Sequence, residues 1–139
     1  MSEMTVKKVL SANDTGETGA HQAGILVPKD KHLLQFFPQL NPLEYNPRVQ
    51  IIFTDEEERS WMFAFIYYNN KKFGGTRNEY RLTRMTNYIR EAALVEGDQV
   101  ILSRNDKGCY SIKYNRMKYS KKDIESVLKL STGWRIIDI

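Results

Sequence analysis

Trp61, Phe63, Phe65 and Tyr67 stand at alternate positions of the run SWMFAFIYY, residues 60–68. An extended strand points successive side chains to opposite faces, so this spacing collects four large rings on one face. A ring face of that size reads as core rather than as a platform for stacking bases, because burial returns most when the side chains are large. The preceding run, residues 49–54, is rich in β-branched and aromatic residues. The acidic tip from Asp55 to Glu58, closed by Arg59, predicts a hairpin turn between the two.

Shorter runs follow the same pattern on either side. Met4, Val6 and the Val9-Leu10 pair predict a first strand, and Ile25 to Val27 a second that stops at Pro28. Asp30 can cap a helix over residues 31–37, with Leu33, Leu34, Phe36 and Phe37 on its buried side. Pro38, Pro42 and Pro47 punctuate the connection that follows. Beyond the hairpin, residues 81–84 alternate basic and uncharged side chains, as a half-exposed strand does. Residues 87–93 suggest a helical turn, and residues 99–104 and 110–114 are two strands joined by the turn NDKG. Ser120, Asp123 and the apolar Ile124, Val127 and Leu128 predict a helix over residues 120–130, and residues 134–139 a closing strand. The expected fold is mainly β, a seven- to eight-stranded antiparallel barrel or partly closed barrel with two or three short helices. With 139 residues, 41% of them hydrophobic, residues 1–139 fit a single domain.

Several function classes drop out early. One cysteine, Cys109, allows no internal disulfide, and with only two histidines a thiolate-rich zinc site is implausible, so no metal or cofactor is expected. No run approaches the roughly 20 apolar residues that span a bilayer, and the N-terminal MSEMTVKKVL lacks a signal-peptide core. These features predict a cytoplasmic chain without a membrane partner. The net charge of +4 is unevenly spread. Residues 41–70 carry two basic and five acidic side chains, whereas residues 71–91 carry six basic and two acidic. A positive field concentrated in one stretch can attract a phosphate backbone.

Two polar loops hold the candidate chemistry. The first packs Ser11, Asn13, Asp14, Thr15, Thr18, His21 and Gln22 between Gly16, Gly19 and Gly24. The second brings Lys71, Lys72, Thr76, Arg77, Asn78, Glu79, Tyr80 and Arg81 together. Such side chains suit double-stranded DNA. An arginine fork bonds both major-groove acceptors of guanine, Asn or Gln pairs with adenine, and a carboxylate accepts from the cytosine amino group, while Lys and Thr hold phosphates.

The segments LSANDTGETGAHQAG and IYYNNKKFGGTRNEYRLTR, about a quarter of the chain, resemble the N-terminal DNA-binding domain of EcoRII-type restriction endonucleases. The phrase LVEGDQVIL is similar to the wider pseudobarrel fold shared with the plant B-three transcription-factor domains. The resemblance implies an effector domain whose two loops are arms gripping duplex DNA from the major-groove side. Ser11 to Gln22 would form the N-terminal arm, including His21, and Thr76, Arg77, Asn78, Glu79 and Arg81 the C-terminal arm. It also implies a short GC-rich target, with CC(A/T)GG as the first expectation, and a separate nuclease domain in the parent protein. The chain departs from the family pattern at Gly75, where a lysine is expected, and at Leu26, where an aromatic residue is expected. Lys72 could supply the contact that Gly75 lacks.

Other readings of the same residues remain open. Glycines in loops often answer only backbone demands, and an isolated histidine is commonly structural. Ser11, Asp14 and His21 sit on no nucleophile elbow, so a hydrolytic triad is a poor fit. Glu79 could bridge Arg77 and Arg81, contact cytosine, or do both. Lys121 and Lys122 read as an exposed helical face. The tip from Asp55 to Glu58 would repel phosphate and should face away from DNA. No pair of acidic residues followed by a strand-borne Glu-x-Lys or Asp-x-Lys suggests a magnesium nuclease, so catalysis is not expected of this chain. A stand-alone transcription regulator on the same pseudobarrel is the main alternative. An RNA or single-strand binder would need exposed aromatic rings.

Overall fold

The computed structural model describes residues 3–16, 24–117 and 133–137. In chain order the elements are β1 (Met4–Val9), α1 (Ala12–Thr15), β2 (Ile25–Val27), α2 (Lys31–Leu34), β3 (Arg48–Thr54), β4 (Ser60–Tyr68), a 3-10 turn (Asn70–Phe73) and β5 (Glu79–Thr83). They continue with α3 (Thr86–Glu91), β6 (Gln99–Arg104), β7 (Tyr110–Asn115) and β8 (Trp134–Ile137). The strands make one eight-stranded sheet in the order β2-β5-β4-β3-β7-β6-β1-β8. Its neighbours are antiparallel except β3 and β7, which run parallel over Phe53–Tyr110 and Thr54–Ser111. The sheet curls into a nearly closed barrel. Its two edges, β2 and β8, are joined by a hydrogen bond from Trp134 Nε1 to the Leu26 carbonyl at 2.8 Å.

The period of two in β4 sets the inside of the barrel. Phe63, Phe65 and Tyr67 are buried with Ile51 and Phe53 of β3 and Leu82 of β5, and Trp61 packs half-buried against them. Phe36, Phe53 and Phe63 are essentially sealed from water. Burial of such side chains gives roughly 1.5–3 kcal/mol each, the largest favourable term available to a barrel of this size.

Helical structure differs from the sequence expectation at two places. The helix predicted over residues 31–37 ends at Leu34, because Pro38 disfavours helical geometry just before it. Phe36 and Phe37 continue as tight turns, their N–H groups donating to Leu33 and Leu34 carbonyls, and Phe37 stacks on Phe65 with ring centroids 4.3 Å apart. The Phe36 carbonyl then accepts from Arg104 Nη1 at 2.9 Å and from the Tyr110 hydroxyl at 2.7 Å, so β6 and β7 satisfy the end of this segment. Residues 12–15, expected as loop, form α1. The Ser11 hydroxyl accepts from the Asp14 N–H at 3.1 Å, the Asp14 carboxylate accepts from the Ser11 N–H at 2.9 Å, and Gly16 closes the turn at φ +82°. The turn expected at residues 87–93 is α3, Thr86–Glu91, stopped by Ala93 at φ +53°. The helix predicted over residues 120–130 lies outside the described residues, as do Lys121, Lys122 and the last two positions of the closing strand. Among the described residues no helix is long and apolar enough to cross a membrane.

Candidate nucleic-acid interface

Glu79 and Arg81 alternate along β5 with Tyr80 and Leu82, and Arg77 precedes them at the same spacing. Register assigns the faces. Tyr80 pairs with Tyr67 and Leu82 with Phe65 on the barrel interior, whereas Glu79 pairs with Tyr68 and Arg81 with the buried Ile66 on the opposite face of the sheet. Three charged side chains therefore share the outer face of one short strand and its approach. Arg77 donates from Nε and Nη2 to one Glu79 oxygen, Oε1, at 3.0 and 2.7 Å. Arg81 Nη2 reaches Oε2 at 3.3 Å, and Arg81 Nη1 donates to the Gly24 carbonyl at 2.9 Å. Partial burial alone would raise the Glu79 carboxyl above its ordinary value. The hydrogen bonds from Arg77 and Arg81 outweigh it and hold the group lower, so the ion-paired form is favoured.

The loop between β4 and β5 is braced from below. The Arg77 guanidinium lies over the Tyr68 ring with its carbon 3.7 Å from the centroid, and the Arg77 N–H donates to Asn70 Oδ1 at 2.6 Å. Gly75 donates to the Asn70 carbonyl at 2.7 Å, and a Cβ at that position would come within 2.9 Å of the Asn70 side chain. This close approach gives a physical reason for a glycine at this position. Lys72 is exposed, with Nζ 6.0 Å from the centre of the Tyr67 ring. Thr76 and Asn78 are exposed, and Asn78 Oδ1 accepts from the Tyr67 hydroxyl at 2.7 Å. Tyr80 points the other way, stacked on Tyr67 and Phe65 with centroids 4.4 and 5.6 Å away. Burial, followed by the neighbouring Tyr67, raises its phenol above the ordinary value.

The first loop divides into two parts. Ser11 and Asp14 bond to each other, Asp14 also pairs with the buried Lys8 at 3.2 Å, and the Thr15 hydroxyl donates to the Ala12 carbonyl at 3.0 Å. Asn13 is exposed on α1. Thr18, His21 and Gln22 lie outside the described residues. The loop returns at Gly24, where φ is +95° and a Cβ would meet Thr83 Cγ2 at 2.6 Å and the Leu82 carbonyl at 2.7 Å. The Arg81–Gly24 bond thus joins the end of the first loop to the charged face of β5. Leu26 pairs with Arg81 and is 45% exposed.

Sequence reasoning did not single out Lys8, Tyr68, Asn69 or Asn70. Asn69, 1% exposed, accepts from the Asn46 N–H at 2.7 Å and donates to the Pro42 and Glu44 carbonyls at 3.1 and 2.6 Å. The doubled asparagine after Tyr67-Tyr68 was the available signal, since short amides satisfy backbone groups in tight loops. The acidic tip lies at the opposite end of β4 from this loop, at a strand rise that puts it roughly 25 Å away. Its Asp55 accepts from Trp61 Nε1 and from the Arg59 and Glu57 N–H groups. The Trp61 bond leads in lowering its carboxyl to about 2, against an opposing contribution from burial. Among the described residues no cluster of three His, Cys, Asp or Glu side chains could hold a metal ion.

A family model described as restriction endonuclease EcoRII, N-terminal, matches residues 2–104. The chain belongs to the EcoRII N-terminal family. Among its relatives, the type II restriction enzyme EcoRII of Escherichia coli is 44% identical over 85 residues, covering 55% of this chain and 20% of the enzyme. A putative auxin response factor 21 of Arabidopsis thaliana is 30% identical over 120 residues, covering 86% of this chain and 18% of that protein. The chain therefore spans about a fifth of the length of these curated relatives. In three dimensions this EcoRII N-terminal domain is similar to the protein of an Arabidopsis FUS3–DNA complex, with TM-score 0.61, 19% identity and coverage of 81% of this chain and 96% of the other. At that identity the likeness concerns the fold, the pseudobarrel expected from the sequence.

Proposed function

We propose that this EcoRII N-terminal domain binds double-stranded DNA sequence-specifically, as the recognition domain of an EcoRII-like restriction endonuclease. The observation that carries the reading is the Arg77–Glu79–Arg81 array on the outer face of β5, in a chain of this family. DNA binding by the pseudobarrel is supported by family membership and by the FUS3–DNA fold likeness together. The loop carrying Lys72 and residues 76–81 is the C-terminal arm, and the first loop, with His21 and Gln22, the N-terminal arm. Both enter the major groove, Arg77 and Arg81 reading guanine and Lys72 holding phosphate. In the free protein Glu79 holds both forks in place, so little side-chain freedom is lost on binding. The target is a short GC-rich site, CC(A/T)GG first. Residues 1–139 act as one recognition unit, with cleavage left to a separate nuclease domain of the parent protein.

Selection of bound duplexes from a random library tests this directly. Enrichment of one short GC-rich motif is the expected result, and recovery of unenriched sequence would refute specific recognition. The alignment with auxin response factors over 86% of the chain favours a second reading, a stand-alone regulator using the same surface. A parent reading frame ending without a nuclease domain, with no methyltransferase gene nearby, would decide for the regulator.

A further inference from the structure

Leu43, Tyr45 and Phe73 are large apolar side chains left 84%, 62% and 53% exposed. Two of them meet: the Tyr45 and Phe73 rings are 5.4 Å apart, edge to face. They come from different segments. Phe73 ends the 3-10 turn of the C-terminal arm, directly after the exposed Lys71 and Lys72, and Tyr45 belongs to the loop between α2 and β3.

The loop between α2 and β3 is firmly attached to this arm. Asn69, at the base of the arm, bonds with Pro42, Glu44 and Asn46, and its own N–H donates back to Asn46 Oδ1 at 3.1 Å. Asn46 takes φ +45°, which turns the chain back toward the arm. The Tyr67 N–H donates to the Pro47 carbonyl at 3.0 Å and fastens the end of the loop to β4. An aromatic pair held in water by this many backbone bonds is preorganised for contact, because little ordering remains to be done on binding.

We propose that the loop around Tyr45 is a third DNA-contacting arm, which with Phe73 packs an aromatic edge against the deoxyribose sugars of the duplex beside the major-groove site. This rests on the duplex-DNA reading above. Continuity argues for DNA, since Lys71, Lys72 and Phe73 occupy one turn: whatever the lysines approach, the ring approaches too. A ring has no hydrogen-bond pattern with which to identify a base pair, and it neutralises no phosphate. Its contribution is therefore independent of sequence and carries no counterion release.

The test is fluorescence-anisotropy titration of cognate and scrambled duplexes at several salt concentrations, using Tyr45→Ala and Phe73→Ala. Both positions are exposed, and an unchanged thermal midpoint confirms folding. Each substitution is expected to weaken both duplexes by up to about tenfold, leaving the cognate-to-scrambled ratio and the salt slope as in the unsubstituted protein. Unchanged affinity in both variants, beside tight binding by the unsubstituted protein, would overturn this proposal alone and leave the patch to a protein partner. A loss confined to the cognate duplex would also overturn it, by making the rings base readers. If the unsubstituted protein binds no duplex, the DNA reading itself falls and this one with it.

Discussion

Arg77 delivers two N–H groups to a single oxygen of Glu79, leaving the other carboxylate oxygen to Arg81. One carboxylate thus sets the direction of two guanidinium forks on the same face of β5. An arginine held this way presents its remaining N–H groups with their orientation already restricted, so less side-chain freedom is lost when it meets a ligand.

Arg77→Ala should lower the preference for the cognate over a random duplex by about 1–3 kcal/mol, the range for one bidentate base contact. Lys72→Ala should weaken both duplexes alike and reduce the salt slope by about one unit. Titrations of both variants at three salt concentrations separate the effects. An unchanged ratio for Arg77→Ala would remove it from the reading surface.

Acid should disarm the same array. The folded-state Glu79 carboxyl lies below its ordinary value of 4.5, so the stability that its pairs contribute is fully present above that value. It is lost as pH falls through the lower, folded value. Asp55, lowered to about 2, should keep its charge to more acidic pH. Carboxyl carbon shifts followed by NMR should titrate both groups below ordinary carboxylates. A Glu79 midpoint at or above 4.5 would contradict the bridging geometry.

Lys8 and Asp14 are 6% and 9% exposed and pair at 3.2 Å, and Lys8 Nζ also donates to the Val9 carbonyl at 2.8 Å. Asp14→Ala leaves a buried ammonium without its counter-charge and removes half of the α1 capping box. Chemical denaturation should show a loss of about 3–5 kcal/mol. Adding Lys8→Met should restore part of it, because the uncompensated charge disappears while the capping loss of about 1 kcal/mol stays. No recovery in the double variant would mean that the cap, and not the charge pair, dominates.

Gly24→Ala combines a left-handed φ with a Cβ pressed against Thr83 and the Leu82 carbonyl. It should cost more than about 1 kcal/mol and disturb the Arg81–Gly24 bond. A lower thermal midpoint together with weakened duplex binding is expected. Wild-type stability would show that the β2–β5 approach leaves more room at Gly24 than a 2.6 Å Cβ contact allows.

Strands and turns were legible in the chain because their signals are local. The period of two in residues 60–68 located β4 and its inner face, and the turn NDKG placed the β6–β7 hairpin, where Asn105 Oδ1 accepts from the Lys107 and Cys109 N–H groups. The same spacing set Glu79 and Arg81 on one face and turned Tyr80 to the other, against Tyr67. Ser11 and Asp14 show a local signal passed over. A serine followed three residues later by a carboxylate is a capping pattern, and the structure spends both side chains on α1.

By itself, the order of residues determined the family and the strand-rich class, since these depend on composition and on neighbours a few positions apart. Tertiary structure alone decided which partners those side chains meet. Asn69 reaches Asn46 across 23 positions, Arg81 reaches Gly24 across 57, and Trp134 closes the barrel on Leu26 across 108. Such contacts exist only once strands distant in sequence settle into one register, and that choice is made by packing the whole interior rather than by any single run of residues.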